Sequence, residues 1–327
     1  MKIGGNANYV CDVTSDEDLQ QVYQNSKKLN QPVYVIGGGS NMIVRDTGFP
    51  GIIVRMRIMG IDILSDTSES VTVSAGAGET WDVFVKQMVE RNLSGVEAMS
   101  GIPGTVGAAP VQNIGAYGQE LSNTFVSLEA YDTQTDSFIT LKKEDCGFAY
   151  RHSIFRGNES GRYVIARVTL QLLKKRPEPP FYDSLQKYLE QHQIGAMTVT
   201  VQIIRGAVLE IRNNKLPDPS RLPNAGSFFK NPIVEKAFAN QLLVTYPNMP
   251  TYTVDQTHVK IPAGWLIQTA NFKGRVLHGI KSHDGNAVVL VNQNARGYAD
   301  LAAARTEITT TVAKKFGINL EQEPLEL

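Results

Sequence analysis

At 327 residues the chain is longer than one hydrophobic core usually organises, and its 32 basic side chains balance 32 acidic ones, so two or three domains are expected and neither nucleic acid nor an anionic membrane is a default partner. The opening MKIGGNANYV lacks the basic start and apolar run of a secretion signal, and no later apolar run approaches the roughly 18 residues of a membrane span, which predicts a soluble protein that stays where it is made. Two cysteines, Cys11 and Cys146, far apart and in apolar surroundings, are expected as reduced core thiols of a cytosolic protein, and the five histidines lack metal spacing, so no metal is expected.

YVCDV, SDEDLQQVYQNSKKLN and PVYVIGG read as strand, helix and strand. Leu19, Val22, Tyr23, Ser26 and Leu29 keep one helical face, and Ser15 with Asp18 has the pattern of a capping box. The β-rich stretches GIIVRMRIMGIDIL and SVTVSAGAG precede a helix predicted from about Thr80 to Ser94. Its apolar stripe is Trp81, Phe84, Val85, Met88 and Val89, with Gly95 closing it in the left-handed conformation. After a glycine-punctuated run from Ser100 to Gly118, SLEAYD, SFITL and YVIARVTLQLL are strand-like, and KKRPEPPFYD ends this β-dominated region. VTVQIIRGAVLEIRNNK is amphipathic helical, with Ile203, Ile204, Ala207, Val208 and Ile211 on one side. NAVVLVN reads as a buried strand, and DLAAARTEITTTVAKKFG as a helix with Asp300 as cap, lysines in its last turn and Gly317 at its end. This mixed order predicts an α+β architecture rather than a doubly wound sheet.

Two glycine loops carry the first functional signal. VYVIGGGSNMIV places Gly37, Gly38, Gly39, Ser40 and Asn41 directly after a strand, where consecutive N–H groups can form a nest for a phosphate; a plain tight turn is the alternative. A Rossmann fingerprint would open a helix, whereas MIVR reads as strand, and the lysine of a P-loop is missing. GIPGTVGAAPVQNIGAYGQEL, almost without charge, reads as backbone packed against something flat rather than as a solvated linker. Together the loops suggest a large cofactor with both phosphate and rings, and a dinucleotide bearing an isoalloxazine fits better than a lone nucleotide. In LPNAGSFFKNP, Ser227 reads by itself as a turn hydroxyl beside two packing anchors.

The ordered set GGGSN, GIPGTVGAAPVQNIGAYG, FAYRHSIF, KLPDP, NAGSFFKNP, AGWLIQ and LEQE resembles, essentially end to end, the UDP-N-acetylenolpyruvoylglucosamine reductase (MurB) family. PPFYDSL resembles the subclass with an extra Tyr-bearing loop over the substrate. The resemblance implies a vanillyl-alcohol-oxidase (PCMH)-type FAD-binding fold in two subdomains, 1–58 (with 318–327 returning) and 59–195, plus a C-terminal α+β substrate domain over 196–317. It implies non-covalent FAD, NADPH as co-substrate, and reduction of a UDP-sugar, UDP-N-acetylenolpyruvoylglucosamine, to UDP-N-acetylmuramate for peptidoglycan synthesis. A cytoplasmic monomer without membrane or nucleic-acid partners is expected. Carried over residue by residue, the flavin contacts are Gly37, Gly38, Gly39, Ser40, Asn41, Gly101, Gly104, Gly107, Asn113, Gly115 and Ala116. Tyr182 and Lys215 match contacts to the uridine and diphosphate. Asn231, Tyr252 and Lys260 match further contacts to the nucleotide portion, and Asn286 lies where the family often has Gln or Glu.

Hydride arriving at the β carbon of an enol ether conjugated to a carboxylate drives negative charge onto that carboxylate, and a proton must then reach the α carbon. Such a site needs a charge stabiliser and a proton donor. By resemblance these are Arg151, whose planar fork suits a carboxylate, and Ser227. Glu323 matches the family's C-terminal catalytic glutamate, chosen over Glu321 by alignment with Leu-Glu-Pro-Glu. Without the family, Arg151 would be a surface or core-edge arginine. MKIGGNA in place of the family's Asn-Thr-Phe-Gly, and PLEL in place of its Val-Arg, bear on the first domain and on the placement of Glu323. Rival readings are a flavin oxidase of the same superfamily and a flavin- or nucleotide-binding homologue without turnover.

Overall fold

A computed structural model describes residues 1–327, and the chain divides into two compact units. The first comprises Ala7–Ser40 and Pro50–Arg212; the second comprises Met1–Asn6, Asn41–Phe49 and Asn213–Leu327.

The first unit is α+β. A three-stranded sheet takes the order Ala7–Val13, Phe49–Met56, Val33–Ile36, the last two running parallel. The helix Asp16–Leu29 links its outer strands and starts as expected: Ser15 Oγ accepts the Asp18 N–H while the Asp18 carboxylate accepts the Ser15 N–H. A five-stranded antiparallel sheet follows, in the order Ser137–Lys142, Phe125–Asp132, Tyr163–Leu173, Ser70–Gly76, Ile61–Asp66. Along Tyr163–Leu173, Val164, Ala166, Val168, Leu170 and Leu172 are buried while Gln171 and Leu173 are exposed, the alternation of a sheet with one face on the core. The helix Trp81–Glu90 buries the whole predicted stripe but is shorter than expected. Asn92, at φ 58°, takes the left-handed position, and its side chain is held by Gln202 Nε2 at 2.7 Å, so Gly95 belongs to the following loop. Cys146 is buried and its thiol is pushed up to about 12 by burial. Cys11, expected as a core thiol, is only partly buried, because its strand is largely exposed along its length.

The second unit is built on a four-stranded sheet in the order Asn224–Ser227, Val289–Asn292, Ile280–Ser282, Val276–Leu277. Three short strands, Ile233–Glu235, His258–Lys260 and Tyr252–Thr253, form another sheet. The strand reading of MIVR reduces to Met42–Ile43, which runs parallel to Leu325–Glu326. The long helix Tyr298–Phe316 is not capped by Asp300 as expected: Gly297 is the cap residue, and the Asp46 carboxylate, from far away in sequence, accepts the Tyr298 N–H at 2.8 Å. Asp300 falls in the first turn and accepts the Arg296 N–H at 2.9 Å. Gly317 ends the helix at φ 68°, as expected. Phe228 and Phe229 are fully buried and meet edge to face with centroids 5.1 Å apart. Phe228→Ala should therefore cost about 3–5 kcal/mol, read as a lowered urea midpoint at unchanged slope. No helix in the chain is long and apolar enough to cross a membrane.

Candidate active site

In the first unit, the strand Val33–Ile36 delivers Gly37–Ser40 onto the loop that holds Gly101, Gly104 and Gly107. A Cβ on Gly37 would stand 2.3 Å from Thr105 Oγ1, and one on Gly38 would stand 3.2 Å from Gly104 Cα, so the two loops meet backbone to backbone. Ser40 Oγ donates to the Pro103 carbonyl at 3.2 Å. The Gly101 N–H donates to Asp82 Oδ1 at 2.6 Å, and Asp82 is gripped by both arms of Arg205 at 2.6 and 2.9 Å. Thr105 Oγ1 is buried without a hydrogen-bond partner. An unsatisfied buried hydroxyl costs about 1–3 kcal/mol, and this one lies against Gly37, where any side chain would displace it. A cradle of this kind suits a polyanionic cofactor.

Arg151 lies in the left-handed region at φ 52°, inside a tight Ala149–His152 bridge. Its Nη2 donates to the Gly115 carbonyl at 2.6 Å, and its guanidinium lies 5.2 Å from the Tyr150 ring centroid. A non-glycine residue there costs about 1–2 kcal/mol, a strain that surrounding contacts must offset. Gly115–Ala116 pairs with Gln119–Glu120 as a short hairpin. Asn113 is buried, and its side chain is spent on protein partners: Nδ2 donates to Glu120 Oε2 at 3.0 Å and to the Ala149 carbonyl at 3.3 Å, and Oδ1 accepts the Ser122 N–H at 3.0 Å. It thereby ties the segment of Gly115 to that of Arg151. Tyr182, 44% exposed, precedes the helix Asp183–Gln191 and stands edge-on to Tyr117 at 5.9 Å.

In the second unit, Ser227 ends the strand Asn224–Ser227. The register against Val289–Asn292 shifts between Asn224 and Ser227, where Gly226 adopts φ 74° and donates its N–H to Asn224 Oδ1 at 2.9 Å. Such a bulge re-aims the residue that follows it. The Glu323 N–H donates to the Phe228 carbonyl at 2.9 Å, and the Lys230 N–H to the Glu321 carbonyl at 2.9 Å. This register sets Glu323 opposite the neighbour of Ser227, while the Glu321 carboxylate pairs with the Lys230 ammonium. Asn231 Oδ1 caps the helix Ala263–Thr269 by accepting the Ala263 N–H at 2.9 Å, and a Cβ on Gly264 would stand 3.4 Å from Asn286 Oδ1, so both asparagines gather at one helix start. Tyr252 and Lys260 are cross-strand partners. Lys215 is the last residue of the helix Val201–Lys215, and Asn41 anchors the chain's final strand by accepting the Leu325 N–H at 3.0 Å.

A cluster that the sequence reading missed surrounds Glu326. Its carboxylate accepts Arg45 Nε and Nη2 at 2.9 and 2.7 Å, the Tyr298 hydroxyl at 2.6 Å and Arg305 Nη1 at 2.9 Å. Burial works to raise this carboxyl, but hydrogen bonds from Tyr298, Arg305 and Arg45 bring it down to about 2. A depressed carboxyl stabilises the fold fully above its ordinary value of 4.5, and that contribution is lost as pH falls toward 2. Glu326→Gln should thus flatten the acid limb of thermal stability across that window, as read by melting curves. Thr105, inside GIPGT, was open to notice as the one hydroxyl of its loop's first turn. Glu326 was not, since its partners are scattered along the chain.

Residues 7–140 match the FAD binding domain family, and residues 218–326 match the C-terminal domain of UDP-N-acetylenolpyruvoylglucosamine reductase. The UDP-N-acetylenolpyruvoylglucosamine reductase of Ralstonia nicotianae is 40% identical over 323 residues, covering 98% of this chain and 93% of that protein. That of Pseudomonas aeruginosa is 39% identical over 319 residues, covering 97% and 93%. The crystal structure of UDP-N-acetylenolpyruvylglucosamine reductase (MurB) from Thermus caldophilus superposes with a TM-score of 0.66 at 22% identity, over 97% of this chain and 91% of that one, and shares its fold. A glycine cradle that falls within the FAD-domain match, a serine and a glutamate brought to adjacent register in the C-terminal match, and identity sustained along nearly the whole chain agree: this chain belongs to the UDP-N-acetylenolpyruvoylglucosamine reductase family.

Proposed function

We propose that this protein uses FAD and NADPH to reduce UDP-N-acetylenolpyruvoylglucosamine to UDP-N-acetylmuramate, a step of peptidoglycan precursor synthesis. The observation that carries this reading is 40% identity across 98% of the chain to a protein named for that activity. When bound, FAD supplies a two-electron carrier that can take hydride from NADPH and release it to carbon. Gly37, Gly38, Gly39, Ser40, Gly101, Gly104 and Gly107 would hold it, with the Thr105 hydroxyl finding there the partner it lacks in the protein. Thr105→Val should accordingly act in opposite directions: the FAD-free protein melts at the same temperature or higher, while FAD binds roughly 10- to 100-fold more weakly, as read by fluorescence titration.

Arg151, anchored at Gly115, clamps the substrate carboxylate while negative charge builds on it. The Ser227 hydroxyl gives its proton to the α carbon once hydride has reached the β carbon, and recovers a proton from water. Glu323, set by its hydrogen bond to Phe228, orients the reacting group beside that hydroxyl. Lys215 and Lys260 offer ammonium charge to the diphosphate, with Tyr252 across the strand from Lys260. Asn231 keeps its Nδ2 for ligand oxygens while Oδ1 serves the helix cap. Two unpaired thiols and a UDP-sugar substrate support a cytoplasmic location, and one chain carries every assigned role, which supports a monomer as the working unit.

The test is anaerobic. The purified protein should be yellow, NADPH should bleach it, and the enolpyruvyl nucleotide should restore the colour. A protein that takes up no FAD, or a bleached protein that the nucleotide leaves bleached, would exclude the reading. Recovery of colour only with oxygen, after reduction by an alcohol, would favour an oxidase.

A further inference from the structure

We propose that Arg305 is a positioning residue for Glu323, acting through Gln322 and Glu326; this rests on the reading of Glu323 as a catalytic group. Arg305 rises from the helix Tyr298–Phe316, whose Leu301, Ala304, Ile308 and Val312 are buried in the core, so its base is rigid. Its Nη1 donates to Gln322 Oε1 at 2.6 Å and to Glu326 Oε2 at 2.9 Å, and its Nη2 meets the Tyr298 hydroxyl at 3.3 Å. One guanidinium nitrogen thus bridges Gln322, immediately before Glu323, and Glu326, three residues after it. Gln322 Nε2 then donates to the Pro324 carbonyl at 2.9 Å, closing the turn around Glu323 from within.

Backbone pairing fixes the two ends of this segment separately, the Glu323 N–H on the Phe228 carbonyl and the Leu325 and Leu327 N–H groups on those of Asn41 and Ile43, and the Arg305 bridge ties one end to the other. Charge acts on the same segment. Glu321, Glu323 and Glu326 crowd three carboxylates into six residues, and unneutralised like charges would spread the segment and raise one another's proton affinity. Lys230 takes Glu321, while Arg305 and Arg45 take Glu326, so the charges on both sides of Glu323 are neutralised. Both bridging bonds leave one nitrogen, Nη1, while Nη2 on the same rigid plane meets the Tyr298 hydroxyl, so the bridge and its tether belong to one group.

The test is a double-mutant cycle on the FAD-loaded, NADPH-reduced enzyme, timing flavin reoxidation by UDP-N-acetylenolpyruvoylglucosamine in a single turnover. Arg305→Ala should slow reoxidation roughly 10- to 100-fold, the loss typical of a catalytic group displaced by about 1 Å. Flavin reduction by NADPH should stay native, and in steady state kcat should fall while KM for the nucleotide moves less than about twofold. Adding Arg305→Ala to Glu323→Gln should slow the reaction by less than about threefold more, because the group being positioned is already gone. Losses that multiply in the double variant would overturn the proposal and leave the Glu323 reading intact. A native rate in Glu323→Gln alone would remove that reading, and this proposal with it. Arg305→Met covers the case in which the alanine variant does not fold, since it keeps the length and packing of the side chain and removes its donors: it should show the same slowing and the same non-additivity, and a fully native rate with methionine would overturn the bridging role.

Discussion

Ser227→Ala should leave reduction of the bound flavin by NADPH at its native rate and slow reoxidation by UDP-N-acetylenolpyruvoylglucosamine by roughly 10²–10⁴-fold. Only the second half-reaction delivers a proton to carbon, so only that half should register the loss of the hydroxyl. The position is well suited to the test. Ser227 is in register with Val289, and the bulge before it is formed by Gly226 and Asn224, so alanine leaves that backbone as it is. Thermal stability should shift by no more than about 1 kcal/mol. Stopped-flow traces of the two halves, recorded separately, decide the matter, and equal slowing of both would take the proton-donor role from Ser227.

The second large effect is expected at Arg151. Arg151→Ala should slow reoxidation roughly 10²–10³-fold, as when a single charge-stabilising donor is removed from a preorganised site. Arg151→Lys should recover part of that loss, keeping the charge but not the bidentate fork. The left-handed backbone at φ 52° provides an independent readout. Arg151→Gly should match the alanine variant in rate yet be about 1 kcal/mol more stable, since glycine alone occupies that region without cost. An alanine variant that reoxidises at the native rate would place Arg151 outside the chemistry. A glycine variant no more stable than alanine would show that the strain is relieved elsewhere.

Much of the secondary structure was legible because its causes are local. The stripe from Trp81 to Val89, the Ser15–Asp18 box and Gly317 at φ 68° each rest on residues within a few positions of one another. The expectations that failed depended on distant partners. Asp300 lost the cap role to a helix start served by Asp46, and the helix after Thr80 ended early because Gln202 holds Asn92 in the left-handed position. Cys11 lies on a strand whose exposure depends on what covers the sheet.

For the site, composition by itself pointed to the two glycine loops, because runs of glycine carry their backbone chemistry locally, whereas Arg151, Ser227 and Glu323 were reached only through the ordered motifs that resemble the family. Only the tertiary structure decided how these groups are held. It put Glu323 rather than Glu321 opposite Phe228, left Thr105 without a partner, and joined Arg45 to Glu326 across 281 positions of sequence. Strand register and long-range closure are set by the summed packing of the fold, and no local period in the chain encodes them.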